Sequence, residues 1–298
     1  MVHVGNPEWK AWSTLCSSVL LVLLGSAPPS LAQIPVSFGP ALTLATGALP
    51  ISVAIGDVNG DGIPDLIAVN TGANTVSVLL RTGDGSFGPK TDFPSGAVPH
   101  GVAVADLNGD GNLDIVVANT GADTVSVLLG NGTGSFGVAT DFQTGAAPFF
   151  VAIGDLNGDG IPDLVVVNVN ADTVSVLLGR GAGGFRAKMD FPAAAGAREV
   201  AIGDLNGDGV PYLVVANVSA NTVSVLLGTG NGNFLPFATG AGARAVAIGD
   251  VNGDGLLDVV VANANADTVS VLLGTGTGAL GSKTDFWGPA LEWSPLVT

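Results

Sequence analysis

Val151-Ala152-Ile153-Gly154-Asp155-Leu156-Asn157-Gly158-Asp159-Gly160-Ile161-Pro162-Asp163-Leu164-Val165-Val166-Val167-Asn168-Val169-Asn170-Ala171-Asp172-Thr173-Val174-Ser175-Val176-Leu177-Leu178 holds the signals that decide the fold. Val151 to Ile153 is a short apolar strand that runs into an Asp-rich loop. After its first residue, the stretch Asp163 to Val167 is continuously apolar, as expected of a strand covered on both faces. The turn Asn168–Asp172 follows, and Thr173 to Leu178 opens with strict alternation, the period of a strand. A Gly-rich turn, Gly179–Gly184, leads to Phe185 and a fourth strand ending near Phe191. Nothing here has helical periodicity or enough strong helix formers.

Working outward, the same unit recurs along the chain. Phe38, Phe87, Phe136, Phe185 and Phe234 repeat at intervals of 49, and Leu280 takes the next place after 46. Asp57, Asp106, Asp155, Asp204 and Asp250 keep the same beat, so the three missing residues fall in the connection between Phe234 and Asp250. Four-stranded units of this length fit the blades of a β-propeller. The expected fold is all-β: a propeller of about five four-stranded blades over residues 33–287, with no room for a second domain. Residues 36–46 and 279–286 both copy the fourth strand, one copy more than five blades need. The N-terminal copy is expected to pair with the last blade and shield its edge. The C-terminal copy, with Trp287 and Trp293 after it, would lie outside or replace it. An open array, or a ring completed by a second chain, is the other outcome.

The loops ahead of each second strand carry the chemistry. Asp57, Asn59, Asp61 and Asp65 form the first set. Asp106, Asn108, Asp110 and Asp114 form the second, and Asp155, Asn157, Asp159 and Asp163 the third. The fourth has Asp204, Asn206 and Asp208 but Tyr212 at its close, and the fifth has Asp250, Asn252, Asp254 and Asp258. Side-chain oxygens at positions 1, 3 and 5, a glycine at 6 and a carboxylate at 9 wrap a chain around a hard cation of Ca²⁺ size. An EF-hand would need Glu at position 12, where Ala68, Val117, Val166, Val215 and Val261 stand. Tight Asx turns alone would explain one copy better than five in register. The expectation is four to five Ca²⁺ ions, with the Tyr212 loop the weakest or empty.

Composition agrees. Against 9 Lys and Arg stand 25 acids, a net charge of −16, and 14 of those acids lie in the five loops. Such crowding is unfavourable unless a cation compensates. A chain this acidic lacks the basic patches that nucleic acid or an anionic membrane surface requires. Residues 1–32 read as a secretory signal peptide: Lys10, an apolar stretch from Leu15 to Leu24, then small residues at Ser30 and Ala32. The one cysteine, Cys16, precedes the expected cut, so no disulfide would hold the mature chain. No later apolar run is long enough to span a bilayer. Residues 288–298 form a tail, and the expected location is outside the cell or on its surface.

Phe87-Gly88 followed by Gly96-Ala97-Val98-Pro99, and Phe136-Gly137 followed by Gly145-Ala146-Ala147-Pro148, resemble the signature of the FG-GAP/VCBS repeat family, which includes the propeller of integrin α-subunits. The resemblance implies a Ca²⁺-bearing propeller used in adhesion or recognition. Departures are Phe185-Arg186 and Phe234-Leu235, which lose the glycine, and Gly240–Ala243, which loses the proline.

One ring of positions varies between otherwise repeated copies, at the rim where each first strand begins: Ile51-Ser52, His100-Gly101, Phe149-Phe150, Arg198-Glu199 and Arg244-Ala245. The alternation of connections in an up-and-down blade places this rim opposite the Asp loops. His100, Phe149, Phe150, Arg198 and Arg244 are the candidate ligand contacts, with a protein or a carbohydrate as partner. No nucleophile–base arrangement suggests an enzyme. A polysaccharide-acting enzyme and a structural matrix component are the alternatives.

Overall fold

The computed structural model describes residues 41–226 and 234–287; the expected signal segment and the tail lie outside them. Five antiparallel sheets of four strands follow one another. The first holds β1 (Pro50–Gly56), β2 (Asp65–Asn70), β3 (Thr75–Leu79) and β4 (Thr91–Pro94) in that order. The second holds β5 (Pro99–Ala105), β6 (Asp114–Asn119), β7 (Thr124–Leu128) and β8 (Thr140–Gln143). The third is β9 (Pro148–Gly154), β10 (Asp163–Asn168), β11 (Thr173–Leu177) and β12 (Met189–Pro192), and the fourth β13 (Ala197–Gly203), β14 (Tyr212–Asn217), β15 (Thr222–Leu226) and β16 (Phe234–Ala238). The fifth comprises β17 (Ala243–Gly249), β18 (Asp258–Asn263), β19 (Thr268–Gly274) and β20 (Leu280–Trp287). Among the described residues, no helix is long and apolar enough to cross a membrane.

The continuous apolar runs are explained by the seams between blades. Successive residues of a strand face opposite sides. Ile115 and Val117 therefore join the first blade's Ile67, Val69, Val76 and Val78, while Val116 and Ala118 pack with Val151, Leu164 and Val166 of the third. The repeated phenylalanine also belongs to a seam. Phe136 and Phe185 meet Phe93 and Phe142 of the preceding blades edge-to-face, with centroids 5.3 and 5.2 Å apart. Regular pairing of the fourth strand starts later than the sequence suggested. Phe87, Phe136 and Phe185 make only isolated bridges to Arg81, Gly130 and Gly179.

The glycine before each blade answers to a close approach. Gly96 donates its N–H to Ser126 Oγ of the next blade at 3.2 Å, and a Cβ there would stand 2.5 Å from the Asn119 side chain. Asn119 in turn donates to Ser126, and Ser126 to Asp141, so one polar line ties three strands together. Where Ala194 takes the glycine's place, ahead of the fourth blade, Asn217 still donates to Ser224 and also reaches the carbonyls of Val215 and Thr222.

The expected strand exchange does not occur. The fourth place in the last sheet is filled by β20, the C-terminal copy, whose Val269↔Phe286 and Ser270↔Asp285 pairs match the other blades. Of the N-terminal copy, residues 41–46 form no strand and 36–40 lie outside the described residues. β20 follows β19 after a short turn, so it reaches that edge with far less loop-closure entropy than a segment at the far end of the chain. The outward faces of the end blades consequently stay open. Val53 and Ile55 are 41% and 59% exposed, whereas their counterparts Val102 and Val104 are at 2%.

Candidate functional site

Each Asp-rich loop is a knot of carboxylates and backbone amides. In the first, Asp57 accepts the N–H groups of Gly60, Asp61 and Gly62, Asn59 accepts Asp61 N–H, and Asp61 accepts Ile63 N–H. Gly60 and Gly62 have φ of 74° and 82°, and a Cβ on Gly62 would meet nothing within 4 Å. Backbone conformation, then, and not space, requires glycine there. The later loops keep the scheme; Asp155, for example, accepts Gly158 and Gly160 N–H.

The carboxylate at position 9 has a separate task. Asp65 is wholly buried and accepts Val58 N–H at 3.1 Å and Arg81 N–H at 2.7 Å, clamping the loop to the end of β3. Asp114, Asp163 and Asp258 do the same in their blades. Burial pushes the carboxyls of Asp65, Asp114 and Asp163 upward against the pull of those amides. Tyr212 takes this place in the fourth blade, buried in the seam with Val214, Val259 and Val261. Asp204 and Asp250 are held below the usual carboxylate range by amides, Gly209 and Gly255 foremost. A carboxylate accepts about four hydrogen bonds, so these networks leave lone pairs on Asp57, Asn59 and Asp61. The donor set fits a hard cation in type. Among the described residues, no three His, Cys, Asp or Glu side chains come together as a metal-holding group.

The Asp loops and third turns share one face: Gly134 N–H bonds Val58 O at 3.0 Å, and Gly183 N–H reaches Leu107 O. On the opposite face lies the rim. All five candidate ligand residues, His100, Phe149, Phe150, Arg198 and Arg244, line one cavity of about 590 Å³. Ile51, Ser52, Gly101, Glu199 and Ala245 share it. Each comes from the start of a first strand, so the fold gathers residues about 49 positions apart onto one axis. The seven-residue first strands separate this cavity from the Asp loops by roughly 20 Å.

Three of these side chains interlock across consecutive blades. The rings of His100 and Phe149 lie 3.7 Å apart between centroids, and the Arg198 guanidinium sits 4.2 Å from the Phe149 centroid, a cation–π contact. Burial lowers His100 to about 4, with Arg198 adding to the effect, so the imidazole is neutral at pH 7. Burial also lowers Arg198, helped by Arg244. Glu199 is pushed up to about 8 by burial, against the pull of Arg198, and is largely protonated at neutral pH. From the sequence Glu199 stands on the rim without a role; its half-buried, raised carboxyl depends on packing. The cavity also takes in Asn263, Asp267 and Thr268 of the fifth blade, which no sequence signal could mark because their counterparts repeat in other copies.

The FG-GAP-like repeat profile matches residues 57–117, 106–166, 155–215 and 204–261, most of the described chain. The chain belongs to the FG-GAP-like repeat family. No curated protein sequence matches it. Among solved structures it is similar to an Agrocybe aegerita lectin described as recognising non-reducing terminal N-acetylglucosamine. Identity is 23% and TM-score 0.54, over 78% of this chain but only 65% of the lectin's length. A putative 6-phosphogluconolactonase from Bacteroides uniformis matches at 18% identity and TM-score 0.59, over 79% of this chain and 70% of its own. Virginiamycin B lyase from Staphylococcus aureus matches at 13% and 0.55, over 82% and 71% respectively. At these identities the likeness is one of fold. This FG-GAP-like repeat protein thus shares its architecture with both binding proteins and enzymes.

Proposed function

We propose that this FG-GAP-like protein is an exported recognition module whose rim cavity takes an extracellular carbohydrate or protein ligand, and whose Asp loops carry Ca²⁺. One observation carries the reading: the positions that vary between copies converge on a single cavity, while the scaffold around them repeats. A concave site of this size falls within the range of about 300–1,000 Å³ usual for small ligands, which favours an oligosaccharide or a short peptide. Its walls supply the aromatic faces of Phe149 and Phe150 and the polar groups of Ser52, Glu199 and the two arginines.

Calcium would be ligated by the side-chain oxygens of Asp57, Asn59, Asp61 and Asp65, the last through lone pairs beyond its two amide bonds, and by their counterparts in the other blades. At affinities of about 10⁻⁴–10⁻³ M and ~2 mM Ca²⁺, each ion adds roughly 0.6–2 kcal/mol to stability. The test has two readouts. Bound calcium is counted on the purified chain, and melting is followed with and without EDTA, expecting four to five ions and a clear drop on chelation. In parallel, glycan arrays and pull-downs are run with the intact chain and with Phe150→Ala. Loss of a captured ligand in the variant supports the cavity as the binding site, and blank screens throughout remove the recognition reading. A second reading, hydrolysis or lysis of a polysaccharide, is favoured by Glu199, whose raised carboxyl suits a general acid. Release of reducing ends that stops in Glu199→Gln would establish it.

A further inference from the structure

The recognition reading leaves the chemistry of the ligand open, and the cavity's charges address it. The chain carries 9 basic residues against 25 acids, so two cations gathered in one cavity stand out. The ion pairs among the described residues are Lys90–Asp92, Lys188–Asp190 and Lys283–Asp285. Arg198 and Arg244, like Arg81, Arg180 and Arg186, are in none of them, but these two line the same cavity, contributed by neighbouring blades. Two guanidiniums lining one cavity, in a strongly acidic protein, form a local inversion of sign. Folding alone would gain by placing a carboxylate between them.

Resting on the reading of the cavity as a recognition site, we propose that its ligand is a carboxylate-bearing saccharide, with the acid group held between Arg198 and Arg244. A guanidinium presents a planar fork of donors that matches a carboxylate's two oxygens, which a neutral hydroxyl does not. Phe149 fixes Arg198 by stacking, and His100 backs Phe149, so the fork is pre-positioned and loses little freedom on binding. The acids that face the pair are Glu199, beside Arg198 on β13, and Asp267 at the fifth blade's turn. Glu199 is in its neutral form at pH 7 and so donates a hydrogen bond to the ligand without competing for the arginines. Phe150 lines the same cavity and offers its ring face to the sugar. A concave wall of this kind suits a sugar chain better than a flat protein surface.

The probes are trigalacturonate and its methyl ester, equal in ring count and different in charge, titrated calorimetrically into the full chain with calcium present. The acid is expected to bind at least about tenfold more tightly than the ester, and to weaken as salt rises. Arg244→Gln should cut acid binding by about tenfold and leave the ester unchanged; its side chain is exposed, so melting stays as in the parent. Arg198→Gln should lose more, because the stack on Phe149 goes with it. Equal binding of acid and ester, or indifference to both substitutions, overturns the proposal while leaving the recognition reading intact. Equal binding of triglutamate overturns the sugar assignment and makes the ligand a peptide. Binding of neither trisaccharide overturns the proposal too, and the array and pull-down screens then judge the recognition reading separately.

Discussion

The seam between the second and third blades and the outward face of the fifth are built from the same residues and end in different states. Val125 is completely buried against the third blade, and its counterpart Val269 is 40% exposed. Phe142 finds Phe185 at 5.2 Å, whereas Phe286, at the same place in its strand, is 47% exposed. Strand formation therefore does not depend on a neighbour on both sides, but most of the burial does. A blade contributes its full apolar area only when another blade follows it.

That difference can be attacked directly. The largest effect is expected for Val125→Asp, which puts an unpaired charge into a dry seam and should unfold the chain, while Val269→Asp leaves it folded with a shift within about 0.5 kcal/mol. Circular dichroism of the two purified variants decides it, and a comparable loss in both would mean that the fifth blade's face is covered in solution. Next comes truncation. Val125→Ala should cost about 2 kcal/mol in urea unfolding and Val269→Ala well under half of that.

A finer contrast lies in the glycines. Gly96→Ala pushes a methyl into Asn119 between two complete blades and should cost about 1–3 kcal/mol. Gly47→Ala faces Asn70 at a similar 2.6 Å, but its segment belongs to no strand and can shift, so less than about 1 kcal/mol is expected. Equal costs at both sites would show that the approach is rigid whatever surrounds it.

The smallest test concerns pH at the rim, where residues of the end blades and the inner ones line one cavity. Glu199 binds its proton more tightly folded than unfolded, so its contribution to stability falls as pH rises from about 4.5 through about 8. The full shift would be worth about 4 kcal/mol between pH 5 and pH 9, but the side chain is only half-buried and partly screened, so Glu199→Gln should gain about 1–2 kcal/mol relative to the parent over that range. His100 works in the opposite direction and lower down: its depressed value costs stability as pH falls from about 6.5 toward about 4. Arg198, Arg244 and Asp267 are the other charged groups that line the cavity. A flat difference between parent and Glu199→Gln from pH 5 to 9 would mean that the carboxyl is not held in a dry site.

Much of the molecule was legible before any coordinates. The 49-residue beat of Phe and Asp fixed the number and order of blades, because each interval encloses one complete four-strand pattern. The rim was legible for the related reason that a repeated scaffold makes the few unrepeated positions conspicuous. The fourth blade's departure at Tyr212 was visible as well, though not that the ring would settle into the seam beside Val259 and Val261. The buried clamp formed by Asp65 and its counterparts was hidden, since a carboxylate at position 9 reads the same whether or not it also holds two amides.

Local periodicity and composition were enough to define strands, loops and the two faces, since these follow from backbone geometry within a single repeat. Which fourth-strand copy completes the last blade, which apolar faces stay open, and how His100, Phe149 and Arg198 stack were decided only by the packed chain. Those outcomes turn on competition between identical segments and on contacts between residues tens of positions apart, where chain entropy and packing act and no local pattern reaches.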